Sequence, residues 1–290
     1  MLDGFEQRRI ATKGAEINLR VGGSGAPLLC LHGYPQTHVM WHKVAPALAE
    51  KFTVVLPDLR GYGDSSKPQE SADHMTYSKR YMAQDMAEVM QALGYDRYDV
   101  AGHDRGGRVA YRLAFDFPKQ VQRLCILDVV PTYERFVKLS AKSGFEAFHW
   151  FFLPQPAPFP ETMIGNSAEF FLKHMLTSLA TEKDAFAPEA YAEYKRCFTN
   201  PDTIRATCGC YRASYHVDHL HDGENRSKGE KIGCPTHILW GDGGMTEKKN
   251  LVEMWKNWAD TPTGASVPCG HFIPEEKPRE TIEQFLKFFS

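Results

Sequence analysis

The sequence predicts an α/β fold, a mostly parallel central sheet flanked by helices and carrying an inserted block of helices. Two observations lead there. Short apolar runs alternate with longer segments of helical spacing along most of the chain, and this alternation stops once, over residues 132–232. The apolar runs are residues 27–31, 53–56, 98–101, 124–127 and 237–240. Continuous runs of that length suit parallel strands covered on both faces. Ahead of them, residues 8–12 and 16–21 read as two strands joined by a turn at Lys13-Gly14. Residues 77–93 carry Tyr81, Met82, Met86, Val89, Met90 and Leu93 at helical spacing, and Gly94 stops the helix.

The interruption is rich in Phe and Tyr at helical spacing and holds the proline cluster Pro154, Pro156, Pro158 and Pro160. A structureless excursion of that length is uncommon in a compact chain. The expected organisation is a core of residues 1–131 and 233–290 with a helical lid of residues 132–232.

With 290 residues the chain can bury a large core without disulfide or metal staples. Lys and Arg number 34 against 36 Asp and Glu, a net charge of −2 with no basic block, which disfavours nucleic acid and anionic membranes as partners. No apolar run approaches the roughly 18–20 residues of a membrane span. The start, Met1-Leu2-Asp3-Gly4-Phe5-Glu6, lacks the basic-then-apolar pattern of a secretory signal. Seven cysteines follow no disulfide spacing, and Cys30 and Cys125 fall in expected strands as core. Reduced thiols and a cytoplasmic location are expected.

The most informative stretch is Val100-Ala101-Gly102-His103-Asp104-Arg105-Gly106-Gly107-Arg108, which follows an expected strand and opens a helix over residues 109–117. The glycine spacing allows a sharp strand-to-helix turn that lifts residue 104 above the sheet edge, and the helix N-terminus favours negative charge there. A helix-capping Asp is the plainer reading. Three further segments agree with the turn: Leu31-His32-Gly33-Tyr34-Pro35, Asp58-Leu59-Arg60-Gly61-Tyr62-Gly63-Asp64-Ser65, and Cys269-Gly270-His271-Phe272 before a final helix. In order and spacing these four resemble the α/β-hydrolase superfamily over essentially the whole chain, with a triad in the order nucleophile, acid, histidine.

An Asp nucleophile changes the chemistry. A carboxylate attacks carbon without a base and leaves an ester on the enzyme, which a histidine-activated water then cleaves. That suits sp³ carbon bearing a leaving group, as in alkyl halides and epoxides. Acyl transfer would instead leave an anhydride.

Arg105 and Arg108, three residues apart on the helix, bring two guanidinium groups towards Asp104, and their planar forks match a carboxylate. His-Asp-Arg-Gly-Gly-Arg closely resembles the haloacetate dehalogenases. The resemblance implies Asp104 as nucleophile, Arg105 and Arg108 as holders of the substrate carboxylate, and Asp128 as the acid orienting His271. It further implies His149, Trp150 and Tyr211 as halide donors, the main-chain N–H groups of Tyr34 and Arg105 as the oxyanion site, and a homodimer. Read without the family, His149, Trp150 and Tyr211 are plain packing residues. Asp242, in Trp240-Gly241-Asp242-Gly243-Gly244, is the alternative acid, placed after the next strand as in many α/β-hydrolases.

The implied substrate is a small 2-haloacid such as fluoroacetate or chloroacetate, with no cofactor and no metal. His216-Val217-Asp218-His219-Leu220-His221-Asp222, close to Cys208 and Cys210, reads as a solvated helix face rather than a metal site. His32 and His103 are expected to make structural hydrogen bonds. Two other functions stay open at this stage. An epoxide hydrolase would need lid tyrosines among Tyr191, Tyr194, Tyr211 and Tyr215. A binder of a small anion without turnover would have no use for the histidine.

Overall fold

The computed structural model describes residues 1–243 and 251–290. Among them eight strands form one sheet: β1 (Glu6–Ala11), β2 (Glu16–Gly22), β3 (Ala26–Leu31), β4 (Phe52–Pro57), β5 (Tyr98–His103), β6 (Val121–Leu127), β7 (Thr236–Gly241) and β8 (Pro262–Val267). Their spatial order is β1-β2-β4-β3-β5-β6-β7-β8. β1 and β2 form an antiparallel hairpin and β2 runs antiparallel to β4, while every other neighbouring pair is parallel.

Burial explains which strands the sequence announces. β4 and β5 are buried at every position, and their residues are continuous apolar runs or nearly so. β8, Pro-Thr-Gly-Ala-Ser-Val, is an edge strand, half exposed and poor in apolar side chains, so no periodicity marks it. It forms through its six-residue register with β7, a backbone property that side chains do not encode.

The helix Lys79–Ala92 begins where the Ser78 hydroxyl accepts from Tyr81 N, and ends at Gly94 with a φ of 86°. It buries Met82, Met86, Val89 and Met90 against the core, and leaves Tyr81 exposed. The helix after β5 spans Arg105–Asp116, four residues earlier at its start than the sequence reading places it. Its apolar pattern begins only at Val109, because its first turn is given over to Arg105 and Arg108.

Eight helices lie between β6 and β7, from Thr132–Val137 to His219–Ser227. One of them, Pro201–Ala213, runs through a π-helical turn at Ser214–Asp218 into His219–Ser227. β3 sends its neighbours in opposite directions along the sheet, to β4 on one side and β5 on the other. The loops leaving β3 and β5 therefore part at their carboxyl ends, where open α/β sheets place their ligand crevice. All seven cysteines are free thiols. No helix among the described residues is long and apolar enough to cross a membrane.

Candidate active site

Asp104 sits between β5 and the helix Arg105–Asp116 with φ 46° and ψ −112°, a conformation that non-glycine residues rarely adopt. Such strain costs on the order of 1–3 kcal/mol and persists only where the surroundings dictate it. They do so here by close packing. A Cβ on Gly106 would stand 2.4 Å from His32 O, and one on Gly102 would stand 2.5 Å from Gly106 O, so the turn closes only without side chains at both positions. The Asp104 carboxylate reaches the cavity with 14% of its side chain exposed. Its Oδ2 accepts from Tyr34 N at 3.0 Å, and its Oδ1 lies 3.9 Å from His271 Nε2.

On the other side of the His271 ring, Nδ1 lies 2.5 Å from Asp128 Oδ2. The carboxylate accepts there, which fixes the Nδ1–H tautomer and turns the Nε2 lone pair towards Asp104. Asp128, at the end of β6, is also left-handed, with φ 57°, and Gly241 N donates to its Oδ1 at 3.0 Å. Asp242 is exposed beyond β7, and its N–H donates to Val267 O. The structure thus brings Asp104, His271 and Asp128 together, with the imidazole between the two carboxylates.

Burial alone would raise the pKa of Asp104. Interaction with His271, Arg105, His103 and Arg108 outweighs it and holds the carboxyl well below the usual carboxylate range. His103 is pushed down to about 4 by burial, with His271 adding to the shift, and its Nε2 lies 2.8 Å from His271 O. His32, likewise pushed down to about 4 by burial, presents Nε2 as acceptor to Leu59 N. Both act as structural histidines.

The two arginines are buried side by side, 0% exposed for Arg105 and 4% for Arg108. Arg105 Nη1 donates to Ser214 Oγ at 2.7 Å, and its guanidinium lies 3.3 Å from the Tyr211 ring centre. Arg108 Nη1 donates to Val130 O and Thr132 Oγ1. The indole of Trp150 meets both cations, 4.3 Å from Arg105 and 4.5 Å from Arg108. Arg105 Nε and Nη2 and Arg108 Nε are buried with no acceptor among the described residues. Buried donors of this kind are costly unless an acceptor meets them, and an anion supplies one.

His149, Trp150 and Tyr211 converge from two separate parts of the insertion. The Tyr211 ring centre lies 5.8 Å from that of His149 and 5.5 Å from that of Trp150, both edge-to-face. Burial pushes His149 down to about 3, so it presents a neutral imidazole. Burial also pushes the Tyr211 phenol up, which keeps its O–H.

A cavity of about 360 Å³ opens between these groups, bordered by Asp104, Arg108, Asp128, His149, Trp150 and His271. The segment Ser178–Thr181 forms its far wall. Arg105 and Tyr211 stand immediately behind that lining.

Sequence reasoning misses the residues that hold the arginines. Ser214, which accepts from Arg105, opens the π-helical turn, and Thr132 is unremarkable in sequence. One expectation is corrected in part. His216 is exposed and His219 and His221 are half-buried, but Asp218 is buried against Lys79 at 3.3 Å, and Asp222 against Arg112 at 2.6 Å. Buried cations draw those carboxylates inward, and no group of three or more His, Cys, Asp or Glu among the described residues is placed to hold a metal ion.

The model of the alpha/beta hydrolase fold matches residues 26–278. The chain belongs to the α/β-hydrolase family. Among its α/β-hydrolase relatives is a fluoroacetate dehalogenase of a Burkholderia species, 41% identical over all of this chain and 95% of that protein. A soluble epoxide hydrolase of Corynebacterium sp. (strain C12) is 38% identical over 96% of this chain and 94% of its own. An α/β-hydrolase structure from Nostoc sp PCC 7120 superposes with a TM-score of 0.98 at 49% identity, covering 100% of this chain and 99% of the other. The chain is a hydrolase. Two activities are named among these relatives, one on fluoroacetate and one on epoxides.

Proposed function

We propose that this hydrolase removes halide from haloacetates, fluoroacetate and chloroacetate among them, yielding glycolate. The observation that carries the reading is the pair of buried arginines beside Asp104, with three guanidinium nitrogens lacking an acceptor among the described residues. Such a site suits an anionic substrate and penalises a neutral epoxide.

In the proposed reaction the substrate carboxylate lies against Arg105 and Arg108, which presents its α-carbon to Asp104 Oδ1. The carboxylate oxygen attacks from behind, a C–O bond forms, and the C–halogen bond breaks with its electron pair leaving on the halide. The His149 and Trp150 N–H groups and the Tyr211 O–H supply donors where that charge develops. His271 Nε2 then takes a proton from water, and the hydroxide adds to Asp104 Cγ. The Tyr34 N–H already bonds Oδ2, the oxygen that becomes the oxyanion, and the Arg105 N–H opens the helix behind it. The adduct collapses, the alkoxide of glycolate receives the proton from His271, and Asp104 is restored.

An epoxide-opening site requires tyrosine hydroxyls above the nucleophile. Tyr194 is buried on Glu275, and Tyr215 lies on a separate cavity with His74 and Arg212. Of the four tyrosines considered, only Tyr211 stands beside His149 and Trp150. The decisive assay compares halide release from fluoroacetate and chloroacetate with diol formation from styrene oxide. Halide release with negligible diol is expected, and the reverse overturns the proposal.

A further inference from the structure

Glu276 takes no part in the chemistry above, yet it is the most heavily used carboxylate beside the site. It is 8% exposed and ends the short helix Ile273–Glu276 that follows His271. Its Oε2 accepts from Gly270 N at 3.0 Å, Thr181 N at 2.8 Å, Thr181 Oγ1 at 2.9 Å and Glu182 N at 3.1 Å. Its Oε1 accepts from Phe272 N at 2.9 Å. The carboxylate therefore holds both residues that flank His271, together with two consecutive residues of the inserted region.

The two segments also touch directly. His271 N donates to Leu179 O at 2.9 Å. A Cβ on Gly270 would stand 2.5 Å from that same oxygen and 2.8 Å from Thr181 N, so the loops meet at a distance only glycine permits. Leu179 and Thr181 in turn line the cavity together with Asp104 and His271. Among the described residues no hydrogen bond fixes Nε2 of His271 itself, which faces Asp104 Oδ1 across 3.9 Å, so its place is set by Asp128 on one side and by the loop backbone on the other.

We infer that Glu276 is a positioning residue for the water-activating step: it pins the His271 loop to the cavity wall built by residues 179–182. Resting on the two-step Asp-ester reading, this makes a specific division. Attack by Asp104 on substrate uses Tyr34 N, the arginines and the halide donors, none of which Glu276 touches. Ester hydrolysis depends on where Nε2 stands, and displacement of a reacting group by about 1 Å costs on the order of 10²-fold in rate.

The test is a pre-steady-state comparison in the full-length protein with chloroacetate. A Gln at 276 has a single acceptor oxygen, so at least one of the five donors faces an NH₂ group. In Glu276→Gln the chloride burst should keep its wild-type rate. Hydrolysis of the carboxymethyl ester should slow by about 10-fold, within that positional scale, and the ester should accumulate in intact-protein mass spectra. Thr181→Val, which removes one donor and leaves the carboxylate, should shift the same balance by a smaller factor and guards against misfolding of the Gln variant. Equal slowing of burst and hydrolysis, or a Gln variant whose ester does not accumulate while His271→Ala accumulates it, overturns the assignment. Absence of ester from both Glu276→Gln and His271→Ala overturns the assignment together with the ester route beneath it.

Discussion

The two walls of the candidate site are built by different means. On the sheet side, Asp104 and Asp128 occupy left-handed backbone positions at strand ends, and backbone groups hold their carboxylates, Tyr34 N for one and Gly241 N for the other. On the helical side, ring packing places His149, Trp150 and Tyr211: Tyr211 lies edge to face with both others, and Trp150 and Tyr211 lie over the buried Arg105 guanidinium. Backbone placement is stiff and survives changes of neighbouring side chains. Ring packing is only as firm as its neighbours, because interior side chains give way together. The sheet wall therefore suits bond making at a fixed point, and the helical wall suits adjustment to the departing group.

The largest expected effect breaks the sheet wall. His271→Ala should still let Asp104 attack, and should stop ester hydrolysis, so turnover ends after one equivalent of halide. Intact-protein mass spectrometry should find a carboxymethyl group on nearly every molecule. An unmodified variant, after incubation with a substrate that the wild type consumes, would show that Asp104 and His271 do not share the work in this way.

The next effect separates the walls by substrate. In the proposed reaction, Arg108→Leu removes a cation that the substrate carboxylate would meet before and during attack. That loss, about 2–5 kcal/mol for a buried charged hydrogen-bond partner, should appear for every haloacid. Trp150→Phe removes a donor needed most by fluoride, whose charge is compact and whose bond to carbon is strong. Fluoroacetate kcat/KM should fall by about 10²-fold, the scale of one lost oxyanion-hole donor, and chloroacetate much less. The fluoroacetate-to-chloroacetate ratio in the two variants checks both roles, which fail if Trp150→Phe depresses the two substrates equally or Arg108→Leu spares chloroacetate.

The smallest effect compares the walls through pH. His32 and His103 on the sheet side are pushed down to about 4, and His149 on the helical side to about 3, by burial in each case. An unfolded histidine titrates near 6.5. Between that value and the folded ones the unfolded chain binds the extra protons, so stability present above about pH 6.5 is lost as pH falls. Each group contributes at most about 1.4 kcal/mol per pH unit. Glu275, pushed up to about 7 by burial, acts in the opposite sense, since the folded state takes up its proton between about pH 7 and the ordinary Glu value near 4.3. His42, His216, His221 and His237 are also lowered, chiefly by burial, and His38 is raised beside Asp58; the lowered groups outnumber the raised ones, so unfolding free energy should decline from pH 6.5 to 4.5. His149→Gln should make that slope less steep by about 1 kcal/mol per pH unit. Denaturant titrations at three pH values measure it, and an unchanged slope would mean that His149 charges freely in the fold.

The same contrast governs how much of this protein its sequence expresses. The sequence by itself determined the sheet interior, because strands buried on both faces need continuous apolar runs, as in β3 to β7. It determined the turn at Asp104 as well, because that backbone shape needs Gly102 and Gly106 at fixed offsets. Asp104 and His271 follow from strand ends and chain order. The edge strand β8 had no such mark, since a pairing made by backbone groups places no demand on side-chain type. Tertiary structure alone decided which acid reaches His271, because Asp128 and Asp242 both follow strands and only distance separates them. It also decided that Ser214, which opens a π-helical turn that no local pattern announces, holds Arg105, and that Glu276 holds the His271 loop. His149 and Trp150 meet Tyr211 across some sixty residues of intervening helices. Their partnership rests on how the helices pack, and packing is a property of the folded whole: each ring satisfies the same local rules whether it lines a cavity or fills a core.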